Sequence, residues 1–315
     1  MDILQVKQLS QDLKLNIKKV IKGKDDVIKK VIICMLCNGH ILLEDIPGTG
    51  KTTLAKALAK SINCDFKRVQ FTPDLLPSDL TGINFYNQKQ GDFVFKQGSI
   101  FTNILLGDEI NRATPRTQSS LLECMEEGQV SVDGKTYILD KPFLVVATQN
   151  PIEIQGTFPL PEAQLDRFFM KLSVGYPDNQ SEKDMLKGIM ISHPVNSIQN
   201  IVNKEDILQS QQCVKQVKVS DAICEYIVKI VTATRQNEKV KLGVSPRGTI
   251  ALMNACKANA AINGRDYVLP DDVKEVCVDV LAHRIICKGF NITQSSNVSA
   301  ELVKDIVNKT EVPVE

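Results

Sequence analysis

The chain has 315 residues, 43% hydrophobic and 24% charged, long enough for two domains and apolar enough to fill their cores. Its 38 basic and 37 acidic side chains leave a formal net charge of +1, which removes any general electrostatic pull towards nucleic acid or an anionic membrane, short of a local basic groove. No apolar run reaches bilayer-spanning length, Met1-Asp2-Ile3-Leu4-Gln5 lacks the order of a signal peptide, and the nine cysteines are odd in number, so a reducing compartment, most simply the cytoplasm, is expected.

Cys34 and Cys37 make a C-x-x-C pair inside the apolar run Val31 to Cys37, with no second pair or histidine pair to complete a metal site; buried small hydrophobes are the expectation. From about residue 25 to 175, short β-like runs alternate with helical patterns. The strand candidates are His40 to Leu43, Lys67 to Phe71, Ile104 to Leu106 and Phe143 to Ala147. Three are continuous apolar runs, as in parallel strands covered on both faces, so an α/β sandwich is expected.

The first strand leads into Asp45-Ile46-Pro47-Gly48-Thr49-Gly50-Lys51-Thr52 and then into a helix from Thr52 to Lys60. This strand, glycine loop and helix is the setting of a phosphate-binding loop. Glycine lets backbone N–H groups converge on a phosphate, and the helix start adds its positive field. Pro47, Gly48, Thr49, Gly50, Lys51, Thr52 and Thr53 form the candidate ATP-binding set, with Lys51 on the outer phosphates and the Thr52 hydroxyl on Mg2+. Asp45 departs from the general pattern by replacing its first glycine.

Two segments read as β-hairpins: Asn84 to Phe95, and Gln129 to Leu139 around the turn dipeptide Asp133-Gly134. Either they project as working parts or they are ordinary surface excursions. Between them the strand from Ile104 ends in Asp108 and Glu109, placed to hold Mg2+ through water and to activate the attacking water, respectively. Asn150 follows the strand from Phe143 and either aligns that water or simply starts a turn with Pro151.

After Gly175-Tyr176-Pro177 the pattern turns helical, with a boundary near 176 to 181; the division expected is 1–178 for the nucleotide-binding core and 179–315 for a helical domain. Ile223, Tyr226, Ile227, Ile230, Val231 and Thr234 follow helical spacing, as do Val273, Val276, Cys277, Val280 and Leu281. Ser245 reads as an N-cap and Pro246 as the first helical residue. Arg247 then opposes the helix dipole unless an anion such as a phosphate offsets it, or else it is simply solvated. Arginine is scarce, 8 residues against 30 lysines, and Arg112, Arg116, Arg167 and Arg247 fall near these motifs.

In this order the motifs resemble AAA+ ATPases, and within them the MoxR family. Gly39 to Thr52 is similar to the family's Walker A region, including the acidic residue at 45, and Asp108 to Ala113 with Gln118 to Glu127 to its Walker B segment. Ala147 to Glu153 resembles sensor 1, Gly156 to Phe168 a family stretch, Ser245-Pro246-Arg247 sensor 2, and Leu281 to Arg284 the lid. The resemblance covers most of residues 25 to 290.

It implies a five-stranded αβα domain followed by an all-helical lid, assembled as a hexameric ring. Arg167 becomes the arginine finger acting on the neighbouring subunit's γ-phosphate, and Arg247 acts within its own subunit. Glu109, Asn150, Arg167 and Arg247 form the expected catalytic set, with Thr52 and Asp108 for the metal. The implied task is chaperone-like maturation or assembly of client proteins, often with von Willebrand factor A domains or metal centres. A magnesium-chelatase-like motor subunit and an ATP-dependent scaffold with little turnover are the alternatives; a nucleic-acid motor has little support from the neutral charge and the 5% aromatic content.

Overall fold

The computed structural model describes residues 1–46, 48–151, 156–191, 197–289 and 292–313. The chain opens with α1 (Ile3–Lys18), capped by Asp2, and α2 (Asp25–Leu36). Next come β1 (Ile41–Glu44), α3 (Lys51–Ser61), β2 (Phe66–Gln70) and α4 (Pro77–Thr81). The first hairpin is β3 (Gly82–Asn87) with β4 (Asp92–Gln97). It is followed by β5 (Ile104–Asp108), α5 (Pro115–Glu127) and the second hairpin, β6 (Gln129–Val132) with β7 (Lys135–Ile138). β8 (Leu144–Gln149), α6 (Glu162–Leu165) and β9 (Met170–Leu172) complete this half.

Five strands form one parallel sheet in the order β2-β5-β8-β1-β9. Successive side chains of a strand point to opposite faces, and the core divides accordingly. Ile41, Leu43, Ile104, Leu106, Leu144 and Val146 join one apolar cluster with α1, α2 and α3. Leu42, Leu105, Val145 and Ala147 join another with Leu121 and Leu122 of α5, Phe71 and Phe168. All four strands read from the sequence are present; the fifth, β9, is a three-residue edge strand too short to leave a pattern. β2, at the other edge, alternates buried Val69 with exposed Arg68 and Gln70.

The second half is helical: α7 (Asn179–Ile191), α8 (Lys204–Lys215), α9 (Asp221–Gln236), α10 (Pro246–Ile262), α11 (Pro270–Leu281) and α12 (Ile292–Lys309). A small antiparallel pair, β10 (Val240–Leu242) with β11 (Ile286–Cys287), ties its loops. The buried residues of α9 are the six named from spacing, and in α11 the five named ones are buried together with Asp272. The first apolar cluster runs on into α8, α9, α10 and α11, and α1 packs against α3 on one side and α10 on the other. None of the described helices is long and apolar enough to cross a membrane.

Both hairpins form, and they lean on each other. Phe95 and Tyr137 stack with ring centroids 4.1 Å apart, and Asn84 Nδ2 donates to Asp133 Oδ2 at 2.7 Å. They are one unit rather than two separate excursions. All nine cysteines are free, and burial pushes the Cys34 and Cys37 thiols up, as expected of buried hydrophobes.

Candidate nucleotide site

β1 ends at Glu44 and α3 starts at Lys51, so the intervening loop sits at the C-terminal end of the sheet, where ligands of α/β folds bind. Gly48 and Gly50 have φ of +86° and +88°, a left-handed conformation that side chains resist. A Cβ on Gly48 would meet nothing within 4 Å, so backbone conformation and not crowding demands glycine there. Thr49, Thr52 and Thr53 flank the turn, all half-buried; Pro47 lies outside the described residues. The Lys51 ammonium donates to the Asp45 carbonyl at 2.8 Å. Partial burial pushes its pKa below the ordinary lysine range, against the carboxylates of Asp45, Asp108 and Glu109.

Asp45, the departure from the glycine pattern, has a structural task. Its buried carboxylate accepts from Ser173 Oγ at 2.9 Å, from Gly175 N at 3.2 Å and from Val174 N. The start of the loop is thereby pinned to the strand exit that leads into the helical half.

Asp108 ends β5 and Glu109 follows it; β5 is not the neighbour of β1 but one strand further away, with β8 between them. β8 supplies the bridge. Thr148 donates from Oγ1 to Asp108 Oδ1 at 2.7 Å and accepts from Glu109 N at 2.9 Å. The edge strand supplies two more partners that spacing did not reveal. Arg68 Nη2 reaches Asp108 Oδ2 at 2.6 Å, and Gln70 Nε2 donates to Glu109 Oε2 at 2.7 Å. Arg112 Nε lies 3.1 Å from the same Glu109 oxygen. Glu109 is itself left-handed, at φ +57°, a strained setting for a residue with a side chain. Asn150 is buried at the end of β8; Ile152 and Glu153, further along that stretch, lie outside the described residues.

Among the described residues no cluster of three or more His, Cys, Asp or Glu could hold a metal by itself. Mg2+ does not require one, since it is normally held by one or two protein oxygens together with substrate phosphates. The donor set fits: Thr52 lies in the first turn of α3, and Asp108 already faces a cation, Arg68.

The two remaining arginines of the set, Arg167 and Arg247, lie together on one carboxylate. Arg167 Nη1 is 3.0 Å from Glu126 Oε2 and also donates to the Leu122 carbonyl. Arg247 pairs with Glu126 Oε1. Ser245 caps α10 as read, with its Oγ accepting from Gly248 N and donating to Asp166 Oδ2 at 2.9 Å. Buried Arg284 completes the grip. It meets Asp166 Oδ1 at 2.9 Å and donates to the Phe168 and Phe169 carbonyls, while burial pulls its pKa down to about 10. The helical half therefore holds the segment that carries Arg167. A cavity of about 430 Å3 lies beside this grip, lined by Glu44, Gln149, Asp166, Lys171, His283 and Arg284 among others. Its described walls come from the sheet ends, the segment around α6 and the helical half, not from the phosphate loop.

Comparison with known proteins agrees with this architecture. The profile of the "ATPase family associated with various cellular activities (AAA)" matches residues 40–170, and an AAA lid domain profile matches residues 232–306. The chain is 50% identical over 301 residues to YeaC of Bacillus subtilis, covering 95% of this chain and 93% of that protein. It is 40% identical over 303 residues to Chaperone MoxR1 of Mycobacterium tuberculosis, covering 93% and 79%. A crystal structure of a candidate ATPase from Cytophaga hutchinsonii superposes with a TM-score of 0.89 at 40% identity, covering 99% of this chain and 97% of that one. With an AAA domain carrying a phosphate loop, a helical lid docked on it and these relatives along almost its whole length, the chain belongs to the MoxR family of AAA+ ATPases.

Proposed function

We propose that the protein hydrolyses ATP and uses the cycle to act, chaperone-like, on partner proteins. The observation that carries the first part is the convergence of Lys51, Asp108 and Glu109 at the sheet's C-terminal end, behind a loop whose glycines are left-handed. Main-chain N–H groups from Gly48 to Thr53 cradle the triphosphate, and Lys51 leaves the Asp45 carbonyl to clamp it. Thr52 and Asp108 hold Mg2+, which when bound neutralises charge on the phosphate oxygens. Glu109 activates water once it is released from Gln70 and Arg112, and Asn150 aligns that water.

Because Arg167 and Arg247 share one carboxylate, both serve the same γ-phosphate, that of a neighbouring subunit in a ring, the expected one being hexameric. Charge developing on the transferred group is stabilised by this pair. The division of labour is core to 178 and lid from 179. Kinship to a protein named as a chaperone supports the client-directed task, with von Willebrand factor A domain proteins as the first clients to try.

Glu109→Gln is expected to keep the affinity for a fluorescent ATP analogue with Mg2+ while phosphate release falls about a hundredfold or more. Undiminished turnover would reject Glu109 as the base, and loss of binding by the wild-type protein would reject the nucleotide site.

A further inference from the structure

Glu126, near the C-terminal end of α5, has no task in the scheme above, yet its two oxygens are divided between two cations. Oε2 takes Arg167 at 3.0 Å, and Oε1 takes Arg247. One anion gathers a guanidinium that follows α6 in the core and another that opens α10 in the lid. Two guanidiniums within reach of a single carboxylate repel each other, and Arg247 also opposes the positive end of its own helix. An anion between them relieves both penalties. The side chains of Arg167, Arg247 and Glu126 are 32%, 45% and 40% exposed, so the cluster lies open to an approaching partner. Exposed ion pairs of this kind hold weakly, whereas guanidinium–phosphate contacts are charge-assisted, often bidentate and strong.

We propose that Glu126 is a positioning residue that stands in for a phosphate. In the free subunit it keeps both guanidiniums together; when subunits associate, the γ-phosphate of the neighbour's ATP displaces it. The proposal rests on the use of Arg167 and Arg247 across the subunit interface. The exchange trades one anion for another and breaks no covalent bond. ADP, lacking the γ-phosphate, does not drive it, so Glu126 holds association back until triphosphate is present.

Sedimentation velocity with Mg2+ and AMP-PNP tests this on the full chain, comparing wild type, Glu126→Gln and Glu127→Gln, the last altering a side chain that bonds Gln129. Glu126→Gln is expected to lower the subunit concentration for half-maximal assembly about threefold to tenfold and to allow association in ADP. Glu127→Gln should do neither. In an Arg167→Ala/Arg247→Ala background, Glu126→Gln should change nothing further, because a merely structural role in α5 would persist there. Unchanged or weakened assembly of Glu126→Gln, an equal shift in the double-arginine background, or no nucleotide-driven association of the wild type would overturn the proposal. Binding of a fluorescent ATP analogue to the subunit, measured alongside, separates the two readings. Normal binding with no shift sinks the stand-in alone, and absent binding sinks the ATPase.

Discussion

The imidazole of His40 shows how one side chain reports on the packing behind the site. Its Nδ1 accepts from Val145 N–H at 3.0 Å, so the proton resides on Nε2, which donates to the Met125 carbonyl at 2.9 Å. Both contacts use the neutral ring, and burial pulls its pKa from 6.5 to about 4. The unfolded chain therefore binds more protons between those values, and stability present above pH 6.5 is lost as pH falls towards 4. From pH 7.5 to pH 5 this single group should remove about 2 kcal/mol of unfolding free energy, measurable by urea denaturation. An imidazole resonance titrating near 6.5 in the folded protein would show the ring to be solvated after all. At this scale the sequence was most informative where chemistry is contiguous: Lys51 with its glycines, and Asp108 with Glu109, stand in short runs whose geometry is local. Arg68, Gln70, Thr148 and Glu126 were not legible, because their contacts arise from the alignment of β2, β5 and β8 and from the docking of lid on core.

Among the elements, α10 is tightly fitted at its start. Its first turn places Gly248 where an added Cβ would come within 2.6 Å of Val244 Cγ1 and 2.8 Å of Arg284 Cδ. Arg284 is the side chain that binds Asp166 and the carbonyls of the segment leading into β9. Gly248→Ala is thus expected to destabilise the protein by about 1–3 kcal/mol through overpacking, despite the better helix propensity of alanine. A thermal melt settles the sign, and a stabilised variant would mean that Arg284 is free to move. Helices were the elements most faithfully anticipated, since α9 and α11 bury one stripe each. The edge strand β9 escaped the reading because it is three residues long, whereas β2, at the other edge, was read despite being half polar. α1 falls outside the alternation read from residue 25 onward, and its place is set by packing on α3 and α10 rather than by any motif.

For the whole molecule, the pairing of Arg167 and Arg247 on one carboxylate makes a prediction about subunit mixtures. Subunits with Lys51→Ala and subunits with Arg167→Ala should each be nearly inactive alone. Mixed, they should recover a fraction of wild-type ATPase through interfaces that join an intact loop to an intact arginine. The same recovery is expected with Arg247→Ala in place of Arg167→Ala. If the Arg247→Ala mixture stays inactive at every ratio while the Arg167→Ala mixture recovers, Arg247 works inside its own subunit.

The strut at Asp45 bears on how such a cycle is felt at a distance. A carboxylate at the mouth of the phosphate loop grips the amides of Val174 and Gly175, one residue short of Tyr176, whose carbonyl is held by Lys24. Glycine, the usual occupant of that position, would leave the two stretches free to slide past one another. Here hydrogen bonds tie the start of the loop to the root of the segment leading into the lid, so neither can shift alone without breaking them.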